Sequence, residues 1–465
     1  MRICKKLTQK GRAKAWAIGT LCALFLISLA APTRAEGKKR GIYEAVQLHE
    51  REEDLVKAAT ELEDRFLERG YRFQDPGVEE WLGGIGRRLV PEVKDPYINY
   101  RFYILQDPTP NAFGLPDGQI YVTTGMLAVL ENEAQLAGLL AHEMIHVAGH
   151  HGIVAHRSVR KKAIIATVIN SLGAFDVLGD LGDLAVNLSN QFLLFSLRGY
   201  QRNLEDEADR GALRQLREAG YDMWQMPRAF EILRRNPEGE IPVTTTKWNS
   251  RLELQSRTHT MNARLSHLLE EADVVVGRED YQLITLPIAL MTVSGHIRKN
   301  CPRTAVDLAR RLVQEVPANP EAWLALGDAL QALGPRAEVP DQQALAGRAQ
   351  SNARKRVKQT RDERNQELLK TPQGKVNFER NMNAALASYG RALDLNGRLP
   401  EVYLGLGHIY QKLKRPRESA RAFMTFLKLR PDSSDRILVL DELKRIRKAL
   451  KGTNGGIYNA REGTE

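Results

Sequence analysis

The sequence predicts an α-rich α+β domain with a small β-sheet, followed by a C-terminal α-solenoid. Two short alternating segments, YRFYILQDP and GQIYVTT, stand among longer stretches whose apolar residues recur every three or four positions. The strongly apolar run LAGLLAHEMIHVAG carries two histidines and a glutamate within a helical pattern. From about residue 280 the texture changes to a 34-residue recurrence.

A chain of 465 residues has room for two or three domains with sizeable cores. Its 43% hydrophobic and 27% charged content is ordinary for globular proteins. The formal charge of +11 first suggests a nucleic-acid or acidic-membrane binder. Seven of the 68 basic residues and none of the 57 acidic ones lie in the first 35 positions, however, and without them the net charge is only +4. That segment has a basic start, an apolar run from Ala15 to about Ala31, and Thr33 and Ala35 at the positions of a cleavage site. It reads as a signal peptide over 1–35, and export to the periplasm is expected, with outer-membrane association open. Nucleic acid is not implied. Cys4 and Cys22 leave with this segment, so Cys301 remains alone and no internal disulfide forms; it reads as a small buried residue.

Taken in order, residues 41–90 show two helices, EAVQLHEREEDLVKAATELEDRFLERG and VEEWLGGIGRRLV, divided by the turn Asp75-Pro76-Gly77. The two strands follow, with PTPNAFGLPD as the loop between them. One long helix is then expected from near Gly125 through AHEMIHVAGHH. Residues 163–197 are apolar and glycine-punctuated, either a buried helical hairpin or a membrane-touching lid; Asp176, Asp180 and Asp183 argue against a span. An amphipathic helix pair over 198–235 and a polar loop over 236–258 complete a domain of residues 36–275.

Residues 280–450 carry the tetratricopeptide pattern. Trp323, Leu326 and Gly327 follow Asn319-Pro320, while Ala305 and Pro317 fit the preceding repeat. Ala385, Tyr389 and Ala392 lead into Tyr403, Leu406, Gly407 and Tyr410, with Phe423 and Pro431 in phase. A charged insertion near 335–378 alternates acids and bases without aromatics, the mark of a solvated helix.

The chemistry centres on AHEMIHVAGHHG at 141–152. His142 and His146 lie four apart, so a helix brings both imidazoles to one face within reach of one ion. Glu143 is placed to take a proton from water as it attacks a peptide carbonyl, the H-E-x-x-H arrangement of zinc hydrolases. Burying these groups without a metal would be costly. His150 tempts as third ligand, but a continuous helix turns it about 40° past His146. A metzincin pattern would need a ligand where Gly152 stands, so His150, His151 and His156 read as a polar helix end near the dipole. In RNLEDEADRGAL, Glu205 and Asp209 share a helical face, so one can ligate while the other orients an imidazole; spacing alone leaves Glu205 against Glu207 open.

With NAFGLPDGQIYVTTGML at 111–127, the AHEMIHVAGHH helix and ExxxD at 205–209, residues 41 to about 270 resemble the zinc metallopeptidase family that includes the CAAX prenyl protease, HtpX and the BepA/LoiP group. The resemblance implies a gluzincin-type fold, one zinc per chain held by His142, His146 and Glu205, and Glu143 as general base. It also implies Asp209 as a catalytic residue behind the ligands or as proton donor, and GQIYV as the edge strand receiving substrate backbone. The signal peptide and repeats make the BepA-like branch the most similar. That branch implies an endopeptidase that degrades misfolded or mis-assembled envelope proteins, with outer-membrane assembly machinery as a partner of the repeats. The alternative is a chaperone or scaffold with minor protease activity. Two departures stand out. Ile145 replaces a small residue of the usual helix motif, and RTHTMNARL offers His259 as a regulatory ligand with Thr260 in place of a proline.

Overall fold

The computed structural model describes residues 59, 61–90, 98–154, 200–234, 251–268, 273–337 and 361–452. All of them fall in one compact unit, Val46–Glu465. The signal peptide, the start of the first helix, His156 and the apolar stretch 163–197 lie outside the described residues. No helix among the described residues is long and apolar enough to cross a membrane.

Helix α1 (Pro76–Leu89) opens as its sequence suggests: Asp75 accepts from the N–H groups of Gly77 and Val78, and Pro76 occupies the first turn. The sheet comprises β1 (Arg101–Leu105), β2 (Ala112–Gly114) and β3 (Gln119–Thr123). Strand β2 falls within the expected loop. It exists because Leu115-Pro116-Asp117-Gly118 is a tight turn, with the Gly118 N–H donating to the Leu115 carbonyl at 3.0 Å. Gly118 has φ +97°, and a Cβ there would stand 2.5 Å from the Asn99 backbone, so only glycine fits.

The strand order is β1-β3-β2, with β1 parallel and β2 antiparallel to β3. GQIYV is therefore the central strand, which corrects the expectation that it forms the substrate-receiving edge. Both its edges are already paired. The far side of β1 is partly covered by residues 71–73, with Phe73 N–H donating to the Ile104 carbonyl at 2.9 Å. Strand β2 is the outer strand on the other side.

The single helix expected from Gly125 is two. Helix α2 (Thr124–Val129) stops where Leu130 turns extended, and Asn132 caps α3 (Glu133–Ala148) by accepting from Gln135 N–H at 2.9 Å. Asn132 is held there by Gln225 at 2.9 Å. Every residue of α3 is buried, which suits a helix that is apolar nearly all round. Helices α4 (Arg202–Glu218) and α5 (Gln225–Arg234) pack on it. The contact of α3 with α4 depends on one exchange of bulk. A Cβ on Gly211 would stand 2.7 Å from Ile145, so the glycine of α4 receives the large residue that departs from the family motif. The stretch expected as a polar loop over 236–258 is helical from Arg251: α6 (Arg251–Leu265) turns Leu254, Met261 and Leu265 into the core.

Helix α7 (Arg278–Arg298) joins this domain to the repeats. Its Tyr281 hydroxyl donates to the Leu127 carbonyl at 2.7 Å, and Lys299 beyond its end pairs with Asp107 at 2.8 Å. The helices that follow are α8 (Pro302–Glu315), α9 (Pro320–Leu333), α10 (Arg361–Leu369), α11 (Pro372–Leu395), α12 (Pro400–Lys412), α13 (Pro416–Leu429) and α14 (Arg436–Gly452), with α10 inside the charged insertion. The small and large positions of the repeat pattern meet in pairs. The ring of Tyr389 occupies the space that a Cβ on Gly327 or Gly405 would enter, and Phe423 does the same at Gly407. Helix α9 packs against α11 although the charged insertion separates them in sequence. Cys301 is a buried thiol whose Sγ lies 3.5 Å from the Lys299 carbonyl oxygen.

The Tyr389 hydroxyl donates to Asp328 at 2.6 Å, joining α9 to α11. Burial pushes the Asp328 carboxyl up to about 6; the tyrosine bond opposes this and Glu401 reinforces it. An acid whose folded pKa exceeds its unfolded value, about 4, opposes folding once ionised, so this contribution lowers stability as pH rises from about 4 to about 6. Asp328→Asn keeps the acceptor for Tyr389. Urea unfolding should find the variant near wild-type stability at pH 4 and about 1–2 kcal/mol more stable at pH 7. A difference independent of pH would reject this account.

Candidate metal centre

Helices α3 and α4 bring the separated motifs together. One ligand atom each from His142, His146 and Glu205 lies within 4.8 Å of the others, and all three residues are buried. His142 Nε2 is 3.0 Å from His146 Nε2 and 3.3 Å from Glu205 Oε2, and His146 Nε2 is 3.6 Å from Glu205 Oε1. Ligands about 2.1 Å from a tetrahedral zinc stand roughly 3.4 Å apart, so the donor set and its spacing fit such an ion. Glu143 is fully buried on the same turn of α3. Glu207 is 43% exposed at its side chain, whereas Glu205 is buried within the cluster.

Asp209 lies behind His142, its Oδ1 3.1 Å from the imidazole Nδ1. This contact sets which His142 nitrogen faces the cluster. Both Asp209 oxygens also accept from Arg257.

Charges in this cluster hold one another. Burial alone would raise the Glu205 carboxyl, but Arg257 and both histidines hold it well below the usual carboxylate range. Asp209 is likewise lowered against burial by Arg257 and His142. Burial and Arg257 both favour neutral His142, yet the carboxylates of Asp209 and Glu205 outweigh them and raise its pKa. Ligation requires the neutral ring, so an ion there competes with a proton for His142.

Four neighbours were not legible as site residues. Helix α3 ends at Ala148, and His150 turns the chain with φ 49°, so His151 folds back until its Nδ1 stands 2.7 Å from His146 Nδ1. His150 and His151 are thus buried, which corrects the reading of a polar helix end. Gly149 makes room, since a Cβ there would meet the His151 ring at 2.4 Å. Tyr200 N–H donates to Glu205 Oε1 at 2.8 Å, and its ring lies 4.3 Å from that of His146. Arg257 projects from α6. The signal for it was its spacing, three residues after Leu254 and four before Met261, on the face that enters the core. His259, two residues on, is on the exposed side of α6 and is not among the clustered ligand atoms.

Two histidines and a carboxylate around one point, with a buried glutamate alongside and a small sheet below, define a metallopeptidase site. Residues 76–272 match Peptidase family M48, and residues 400–433 match a tetratricopeptide repeat. The chain thus carries an M48 peptidase domain followed by tetratricopeptide repeats, and among its relatives it is similar to the β-barrel assembly-enhancing protease. The one from Escherichia coli (strain K12) is 26% identical over 170 residues, covering 34% of this chain and 33% of the relative. The mitochondrial metalloendopeptidase OMA1 of Schizosaccharomyces pombe is 30% identical over 125 residues, 27% of this chain and 35% of the relative. OMA1 of Bos taurus is 32% identical over 151 residues, 30% of this chain and 28% of the relative. The chain spans about a third of the length of the relatives it matches.

Proposed function

We propose that this protein is an exported, zinc-dependent endopeptidase that cleaves misfolded or mis-assembled envelope proteins, outer-membrane proteins among them. The observation that carries the reading is the convergence of His142, His146 and Glu205 within 4.8 Å beside the buried Glu143. Zinc held there would polarise the scissile carbonyl and lower the pKa of a water towards about 7. Glu143 takes the proton of the attacking water and passes it to the leaving amine. Asp209 and His151 fix the imidazole orientations of His142 and His146 from behind. Strand β2 offers its outer edge to an extended substrate, since β3 has none to offer. Gly114 at its end lies against α3, where a Cβ would stand 3.2 Å from the Glu143 carbonyl oxygen. A peptide added to this edge would run past the cluster.

Location in the periplasm rests on the leader-like first 35 residues. The repeats support a second role, holding clients or outer-membrane assembly partners with little proteolysis. Ile437 and Leu438 of α14 are 72% and 67% exposed, apolar side chains open on the surface of the repeat region. The purified protein should contain one zinc per chain and cleave an unfolded protein such as casein. A strong chelator should abolish cleavage, and stoichiometric zinc should restore it. Cleavage that survives complete zinc removal would reject the enzyme assignment.

A further inference from the structure

Arg257 is an unusual residue to find at this depth: it is 8% exposed, on a helix that also turns Leu254, Met261 and Leu265 into the core. Its guanidinium is used on three sides. Nε and Nη2 donate to the two oxygens of Asp209 at 3.0 and 2.6 Å, a bidentate fork. Nη1 reaches Glu205 Oε2 at 3.0 Å. The plane is steadied by Phe230 of α5, whose ring centre is 4.5 Å from the guanidinium carbon. The two carboxylates it spans stand one helical turn apart on α4, and like charges so placed repel in a buried site. With Arg257 between them they are held together. Asp209 is then fixed on His142, and Glu205 on the point both histidines face.

Charge counting agrees. Glu143, Glu205 and Asp209 supply three negative charges and Arg257 one positive, so a divalent ion between two neutral imidazoles makes the buried assembly neutral. A lysine could match the charge but not the fork.

We propose that Arg257 is the positioning residue of this metal site, one guanidinium setting both the ligand Glu205 and the Asp209 that orients His142. This rests on the zinc-peptidase reading above. Besides Asp209 and Glu205 it meets His142 directly, its Nη2 standing 3.3 Å from both ring nitrogens, and it touches neither water nor substrate in the proposed reaction.

The test uses the full chain as wild type, Arg257→Gln, Arg257→Lys and Asp209→Asn, with zinc affinity measured by chelator competition and the visible spectrum of the cobalt(II)-substituted protein. Arg257→Gln should weaken zinc binding about 10- to 100-fold, as loss of outer-shell partners does. It should shift the cobalt bands, and lower kcat with KM within about twofold of wild type. Arg257→Lys should fall between the two. Because Arg257 acts partly through Asp209, adding Arg257→Gln to Asp209→Asn should weaken binding by less than it does alone. Wild-type zinc affinity and cobalt spectrum in Arg257→Gln would reduce the arginine to a structural ion pair and overturn the proposal. Tighter zinc binding would overturn it too, making Arg257 a competitor of the ion. Should Arg257→Gln fail to fold, Arg257→Lys decides, with an unchanged affinity and spectrum counting against it. A wild-type protein that binds no zinc would instead sink the peptidase reading itself.

Discussion

Glu143→Gln is expected to leave zinc content and folding intact and to reduce cleavage of an unfolded protein at least a hundredfold. The amide cannot accept a proton from the attacking water, and general acid–base catalysis typically supplies about 10²- to 10⁴-fold. Size and shape are nearly unchanged at a fully buried position, so packing of α3 has no reason to shift. Binding of substrate should persist, so the loss should fall on kcat rather than on KM. Zinc analysis, thermal unfolding and a cleavage assay on the same preparation separate these effects. Cleavage at the wild-type rate would mean that another group accepts the proton.

Glu205→Ala should do something different: remove the metal. Only two of the three clustered ligands would remain, and zinc should be lost on dialysis against a modest chelator. A second effect comes from Arg257, which would keep Asp209 but lose its partner at Nη1. Breaking one side of a buried charge pair costs about 3–5 kcal/mol, of which the remaining carboxylate offsets a part. Denaturant unfolding of metal-free wild type and metal-free variant measures this second effect alone. A variant that keeps one tightly held zinc per chain would place the third ligand elsewhere.

Much of this site could be read directly from residue spacing. His142 and His146 are bound to face one way because they are a helical turn apart. Glu205 and Asp209 obey the same rule on their own helix, and the repeat pattern announced its glycine and aromatic partners by phase. What spacing could not supply was the geometry between elements. The NAFGLPD segment has too few residues to declare itself a strand, and the Leu115–Gly118 turn creates one. The break at Leu130–Asn132 depends on Gln225, 93 positions away, holding the capping Asn132. His151 looked like a solvated end because nothing local says that His150 reverses the chain. Arg257 was hidden for a related reason: a buried arginine is intelligible only once its two carboxylates are in place.

The meeting of Ile145 and Gly211 has a consequence for kinship. Because one site's volume is the other's vacancy, neither can be altered by descent without loosening or prying apart the two helices that bear the ligands. A small residue at the first site would leave room for a side chain at the second; Ile145 takes that room here. What looks like two separate oddities, a bulky residue on one helix and a bare backbone on the other, is one shared volume.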